Sequence, residues 1–191
     1  CIGTVNTCDT NKQELSNMMV GRPVQLVIDK TQARPGEEIL HVEDLCVLSH
    51  LHKRNAVDHV SFSVRAGEIV CIAGIDGNGQ TELIHGLTGL DKITGGSVTL
   101  CGETITHASI RRRGKNMSHI PEDRHKHGLV LDFTLEQNMV LQRYKEPQFQ
   151  HGGFIRRDAV RAYADRLIEQ FDVRSGQGAV TIARSMSGGN Q

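Results

Sequence analysis

No stretch of this chain is apolar over the roughly 18 residues that a membrane-spanning helix needs, which argues against a direct span. Neither sign of charge is in excess: 22 lysines and arginines stand against 22 aspartates and glutamates, with a pI of about 7.3. The basic field of a nucleic-acid binder is therefore missing. The five cysteines (Cys1, Cys8, Cys46, Cys71 and Cys101) contain no C-x-x-C pair and are odd in number. That pattern suits a reduced, cytosolic setting better than a disulfide framework. Cys46 and Cys71 sit inside apolar runs, where cysteine behaves as a small hydrophobe. The start, Cys1-Ile2-Gly3-Thr4, shows neither an initiator methionine nor a basic-then-apolar leader, and the chain is expected to begin within a longer protein. There is no internal repeat and no low-complexity tract. The ten histidines are scattered, and His50-x-His52 and His125-x-His127 lack a companion carboxylate or thiol pattern, so they read as surface histidines. What remains is a chain of 191 residues, enough for one domain with a real core.

The pattern along the chain is mixed α/β with an antiparallel segment in front. Residues 1–23 are polar, with one helical pattern at Leu15, Met18 and Met19 that Asp9 or Thr10 could cap. Residues 24–38 end in "QARPGEE", a Pro/Gly turn that reads as a linker. The main domain is expected to span 39–191. "ILHVEDLCVL" and "VDHVSFSV" alternate as half-buried antiparallel strands do, and Ala66-Gly67 makes a turn. "EIVCIAG" is nearly all apolar, as a strand buried in a parallel sheet would be. Thr81 to Leu90 reads as a helix with Leu83, Ile84, Leu87 and Leu90 on one face. "GGSVTLCGE" is a strand with a turn, and "NMSHIPED" a short strand entering a charged loop. Thr134-x-x-Gln137 looks like a capping box, and Arg157 to Phe171 is the clearest helix, with a stripe of Val160, Ala164, Leu167, Ile168 and Phe171.

One stretch carries chemistry. Gly74-Ile75-Asp76-Gly77-Asn78-Gly79-Gln80-Thr81 follows an apolar run and opens a helix that continues through Glu82. The spacing is that of a phosphate-binding loop, G-x-x-x-x-G-K-[ST], with Gln80 in place of lysine. Backbone N–H groups at such a turn point at an anion, and the helix dipole adds favourable potential. The Thr81 hydroxyl can be offered to Mg2+. Gln80 donates a hydrogen bond but brings no charge, which weakens both affinity and transition-state stabilisation. The other reading is a glycine-rich strand-to-helix turn with no ligand.

Four segments in order, "VSFSVRAGEIVCIAGIDGNGQTELIHGLTGL", "GGSVTLCGETI", "HIPEDRHKHGLVLDFTLEQNMVL" and "SMSGGNQ", resemble an ABC-transporter ATP-binding domain. The match is to the second half of the double ATPase subunits of simple-sugar and nucleoside importers, and it covers essentially the whole chain. The resemblance implies a P-loop NTPase fold of ABC type: an antiparallel β segment, a parallel-sheet core and a helical subdomain at about 132–191, incomplete at the C-terminus. It makes 1–23 the tail of a preceding nucleotide-binding domain and 24–38 the connector. It places Gly74, Asp76, Gly77, Asn78, Gly79, Gln80, Thr81 and Glu82 on ATP, with Thr81 on Mg2+. Glu122, in Ile120-Pro121-Glu122-Asp123-Arg124, falls where the family has a glutamine that senses the γ-phosphate and Mg2+. A carboxylate there departs from the pattern. Ser187-Gly188-Gly189-Asn190-Gln191 resembles the family signature, which presents donors to the γ-phosphate of a partner half. The ring that stacks on adenine is not evident in Leu51-His52-Lys53-Arg54; His52 is its one ring, and an exposed basic hairpin is the alternative.

The resemblance implies two head-to-tail sites, each built from the phosphate loop of one half and the signature of the other. This chain offers a weak loop and a good signature. The apolar strand ending in Asp, the Glu that orients water and the switch histidine are absent from this sequence, so no catalytic residue is assigned and the chain alone is not expected to hydrolyse ATP. The partners implied are the other nucleotide-binding half and membrane permease subunits, with the ATPase lying peripherally on the cytoplasmic face of the plasma (inner) membrane. Three further readings stay open: a nucleotide-binding or docking module without turnover, an ABC ATPase used outside transport, and a P-loop phosphotransferase.

Overall fold

The computed structural model describes residues 2–25 and 30–191. The chain forms two compact units, one reaching to Met117 and the other Ser118–Gln191. In the first, α1 (Lys12–Val20) is the helix expected from Leu15, Met18 and Met19. Its cap is neither Asp9 nor Thr10: the Asn11 side chain accepts from Glu14 N at 2.9 Å. Of the expected linker, residues 26–29 lie outside the described residues, and residues 30–37 form no helix or strand.

The two alternating segments form β1 (Glu38–Leu48) and β2 (Asn55–Arg65), paired antiparallel. β1 is central in a sheet ordered β2-β1-β3-β4, with β3 (Ile93–Leu100) and β4 (Glu103–Thr104) joined by the turn at Cys101-Gly102. The alternation is broken once: Val42 and Leu45 both point into the core although three residues apart. A bulge re-phases the strand. Between Val42↔Phe62 and Leu45↔Val60, β1 has one residue more than β2, and Asp44 takes φ 54°. Between Leu45↔Val60 and Val47↔Val57 the surplus falls on β2, where His59 takes φ 52°. On the other side Gly96 makes room, since a Cβ there would lie 2.3 Å from Asp44 O. The core of this unit is then Val42, Leu45, Val47, Val57 and Val98, with Leu83 and Leu87 laid on them from α2 (Gln80–Thr88). Ile84 and Leu90, expected on that face, are 36% and 50% exposed.

One buried cation holds α2 at its end. Arg113 closes α3 (Ile110–Arg113) and is 3% exposed. Its guanidinium donates to Leu87 O at 2.7 Å, Thr106 O at 2.8 Å, Ala108 O at 3.0 Å and Gly86 O at 3.3 Å. Burial lowers its pKa from the ordinary arginine value.

Of the expected fold, no parallel strand pairing is formed among the described residues. All pairings in the described sheets are antiparallel. "EIVCIAG" carries no regular structure, Ile69 is 91% exposed, and Cys71 is exposed rather than a core thiol. The reason is physical: no described segment runs alongside it, and an all-apolar strand without a ladder on either side has nothing to pair or bury against. "NMSHIPED" likewise forms no strand, and Ile120 is 91% exposed.

The second unit is helical with one small hairpin. Thr134 and Gln137 form the expected capping box at the start of α4 (Leu135–Val140). β5 (Gln150–His151) and β6 (Phe154–Ile155) pair, and α5 (Arg157–Gln170) follows. Val160 of α5 packs with Val140 and Phe149, and a second cluster joins Leu135, Ala183 and Met186. The stripe on α5 is narrower than expected: Val160 and Ala164 are buried, but Phe171, just past the helix end, is 68% exposed.

Candidate functional site: the phosphate loop and the signature segment

The loop Gly74–Gln80 runs from the unpaired apolar segment into the first turn of α2. Asn78 N donates to Ile75 O at 3.2 Å, which closes a turn around Asp76 and Gly77. Gly79 is the N-cap of α2 at φ 93°, and no side chain caps the helix there. A Cβ on Gly79 would lie 2.4 Å from Ala56 O, so the loop rests directly on the backbone of β2. The N–H groups of the first turn have no intrahelical acceptor in any α-helix, and with no capping side chain they are left for an anion or water.

Gln80 bends back over this loop. Its Nε2 donates to Ile75 O at 3.2 Å and would lie 1.9 Å from a Cβ on Gly74. The glycine at 74 thus leaves the space that the Gln80 amide fills. Thr81 is exposed at the second helical position, with its hydroxyl open to solvent, and Glu82 is half-buried at the third. The donor set fits a phosphate: glycine backbone, an uncapped helix start and one hydroxyl, but no fixed positive charge. His52 is exposed in the loop between β1 and β2, where Leu51 N and His52 N both donate to Ser49 Oγ.

In the second unit the signature segment is held by the "IPEDR" segment. The Gln191 amide oxygen accepts from Arg124 Nε at 3.2 Å and from His125 Nε2 at 2.5 Å, while its Nε2 donates to Ala183 O at 3.0 Å. Asn190 Oδ1 accepts from Arg174 N at 2.9 Å, and Asn190 Nδ2 donates to Ser187 Oγ at 2.9 Å. Arg124 lies over Gly188, where a Cβ would come 2.7 Å from Nη2. Ser187, Gly188 and Gly189 are exposed. Glu122 is exposed two residues before Arg124, and the Asp123 carboxylate caps the turn that follows by accepting from Lys126 N at 3.0 Å. Arg124 and His125 escaped the sequence reading. Gln191 is 67 and 66 positions away from them, a separation with no local signal.

The sequence model of the ABC transporter family matches residues 57–191, a span that holds both the phosphate loop and the signature segment. The chain belongs to the ABC transporter family. Over its whole length it is 43% identical to the nucleoside import ATP-binding protein NupA of Lactococcus lactis subsp. cremoris. It is also 43% identical to the guanosine import ATP-binding protein NupO of Bacillus subtilis. It spans 37% of the length of each. Among solved structures it is similar to a nucleotide-free ATP-binding cassette from an ABC transporter, with a TM-score of 0.59 at 20% identity over 80% of this chain and 60% of that one. That likeness concerns the fold. It agrees with a mixed α/β domain of ABC type, and the antiparallel sheet and helical unit of this ABC transporter chain are the parts formed here.

Proposed function

We propose that this chain is the second ATP-binding half of an importer ATPase that energises uptake of a nucleoside or simple sugar. In this reading residues 1–23 end a preceding nucleotide-binding domain, 24–38 connect it, and 39–191 are the ABC domain. The phosphates of ATP lie in the Gly74–Gln80 loop against the start of α2, with the Thr81 hydroxyl on Mg2+. Glu122 stands in the second unit at the position where the family has its γ-phosphate-sensing glutamine. The observation that carries the reading is Gly79: an uncapped helix start at φ 93°, seated on Ala56 O where no side chain fits.

The two sites of the assembly are then unequal. Gln80 gives the loop of this half a neutral amide where charge would stabilise the transition state, so this site holds nucleotide more than it hydrolyses it. Ser187–Gln191 acts in trans and completes the site whose loop lies on the other half. Permease subunits receive the motion, and the ATPase works at the cytoplasmic face of the membrane. A binding module without turnover is the second reading, favoured by the Gln80 amide lying across Gly74.

The test is ATPase activity of the full-length protein with its permease. Gln80→Lys should raise turnover, while Ser187→Ala should lower it by an order of magnitude or more. If both substitutions leave turnover unchanged, the unequal-site reading is wrong. If ATP binds but no variant or permease elicits turnover, the binding module is the better description.

A further inference from the structure

Two histidines from separate parts of the first unit converge on one carboxylate oxygen. Asp91 Oδ2 is 2.7 Å from His50 Nε2 and 3.3 Å from His85 Nδ1. His50 belongs to the loop after β1, His85 to the last turn of α2, and Asp91 to the segment just beyond it. The Asp91 side chain is only 14% exposed and that of His85 25%, while His50 covers them from the solvent side at 61%. Neither lysine nor arginine is paired with this carboxylate among the described residues. The partner of His50 is thus not its sequence neighbour His52.

The backbone prearranges the group. The His85 carbonyl accepts from Gly89 N at 2.9 Å, Leu90 N at 2.9 Å and Asp91 N at 3.1 Å. Those three hydrogen bonds to one carbonyl oxygen curl the chain back over the helix end and bring Asp91 to the His85 ring. His50 is fixed from the other side, since Ser49 N donates to Arg54 O at 2.9 Å and closes the loop that bears it.

We propose that His50, His85 and Asp91 form a site for a divalent late transition metal ion, zinc foremost. The ligand types are right: two imidazoles and one carboxylate, with the fourth position open to solvent. The spacing is right as well. Metal bonds of about 2.0–2.1 Å in a tetrahedron put neighbouring ligand atoms about 3.3 Å apart. The His85–Asp91 separation of 3.3 Å matches that edge, the His50–Asp91 hydrogen bond of 2.7 Å has to lengthen toward it, and all three ligand atoms lie within 4.8 Å of one another. On binding, each imidazole presents the lone pair of the nitrogen that now faces Asp91, and its proton resides on the other ring nitrogen. The ion ties the loop between β1 and β2 to the helix that starts at the phosphate loop. This site does not depend on the transport reading.

The experiment is a Co2+ titration of the full-length protein after chelator treatment, followed by ligand-field absorption. One equivalent should produce a saturable tetrahedral band, and Zn2+ should displace it, since two imidazoles and a carboxylate in a four-coordinate site suit zinc. His50→Ala and His85→Ala should each abolish the band, and Asp91→Asn should weaken affinity at least tenfold. A His125→Ala/His127→Ala protein should retain it. His50 lies in an exposed loop, so loss in His50→Ala cannot be ascribed to unfolding. The proposal is overturned by the absence of a saturable band, or by a band that His50→Ala and Asp91→Asn leave intact.

Discussion

His59 Nδ1 lies 2.7 Å from Asp44 Oδ1, and both residues hold left-handed backbone, at φ 52° and 54°. Each is the surplus residue of its own strand. The hydrogen bond from His59 to Asp44, and then the Asp44 charge, raise the His59 pKa above 6.5. The folded-state value exceeds the unfolded one, so the pair contributes stability that is complete below about pH 6.5 and is lost as pH rises through the raised value. The contribution is small because the pair is exposed. A histidine NMR titration should show the His59 pKa falling in Asp44→Asn, a substitution that keeps the left-handed backbone accessible. An unchanged titration would mean that Asp44 is not the cause.

Two glycines should respond differently from their neighbours. Gly96→Ala forces a Cβ to 2.3 Å from Asp44 O and should cost about 3 kcal/mol in urea unfolding, from strain plus overpacking. Gly79→Ala meets Ala56 O at 2.4 Å and should in addition abolish nucleotide binding. Gly77→Ala, at φ 83° with nothing within 4 Å, should cost only about 1 kcal/mol. Equal losses for all three would show that backbone strain alone governs these sites.

Arg113→Met removes donors from four carbonyls inside the unit. The expected destabilisation is about 3 kcal/mol, since buried acceptors of a charged donor are left unpaired. Arg113→Lys should recover only part of it, because a single ammonium cannot reproduce the planar fork. Full rescue by lysine in a denaturant titration would show that charge, not geometry, matters here.

Arg124→Ala should loosen the signature segment by freeing the Gln191 amide and opening the space over Gly188. On the trans-acting reading, turnover by the assembled ATPase falls several-fold while ATP binding to the Gln80 loop is unaffected. Hydrolysis and equilibrium binding measured on the same preparation separate the two effects.

Much of the antiparallel sheet and α5 was legible because alternation and a 3.6-residue stripe are local patterns. The glycine turn that opens α2 was legible from the glycine spacing, and the helix starts at Gln80, one residue before the expected Thr81. The two bulges were not, although Val42 and Leu45 carry the trace: an apolar pair three apart with Glu43-Asp44 between them. "EIVCIAG" misled in the other direction. Its composition describes a strand between two neighbours, and composition holds no information on whether those neighbours are at hand. The Asn11 cap was missed by one or two positions, within the usual spread for helix ends. Arg124, His125 and the His50–His85–Asp91 group depend on contacts across the fold that no spacing rule encodes.

Arg113 also has an electrical consequence. A helix of nine residues is about 13 Å long, and its two poles normally offset one another at a distance. Here the negative pole of α2 ends in the Gly86 and Leu87 carbonyls, and a guanidinium sits on both. An anion at Gly79 therefore sees the positive pole with the opposite one, about half a unit of negative charge, outweighed by the single positive charge of the guanidinium. At an effective dielectric of about 20, a charge at about 13 Å is worth roughly 1 kcal/mol, against about 4 kcal/mol for one at 4 Å. Part of the charge that Gln80 does not supply at the loop reaches a phosphate through the length of the helix.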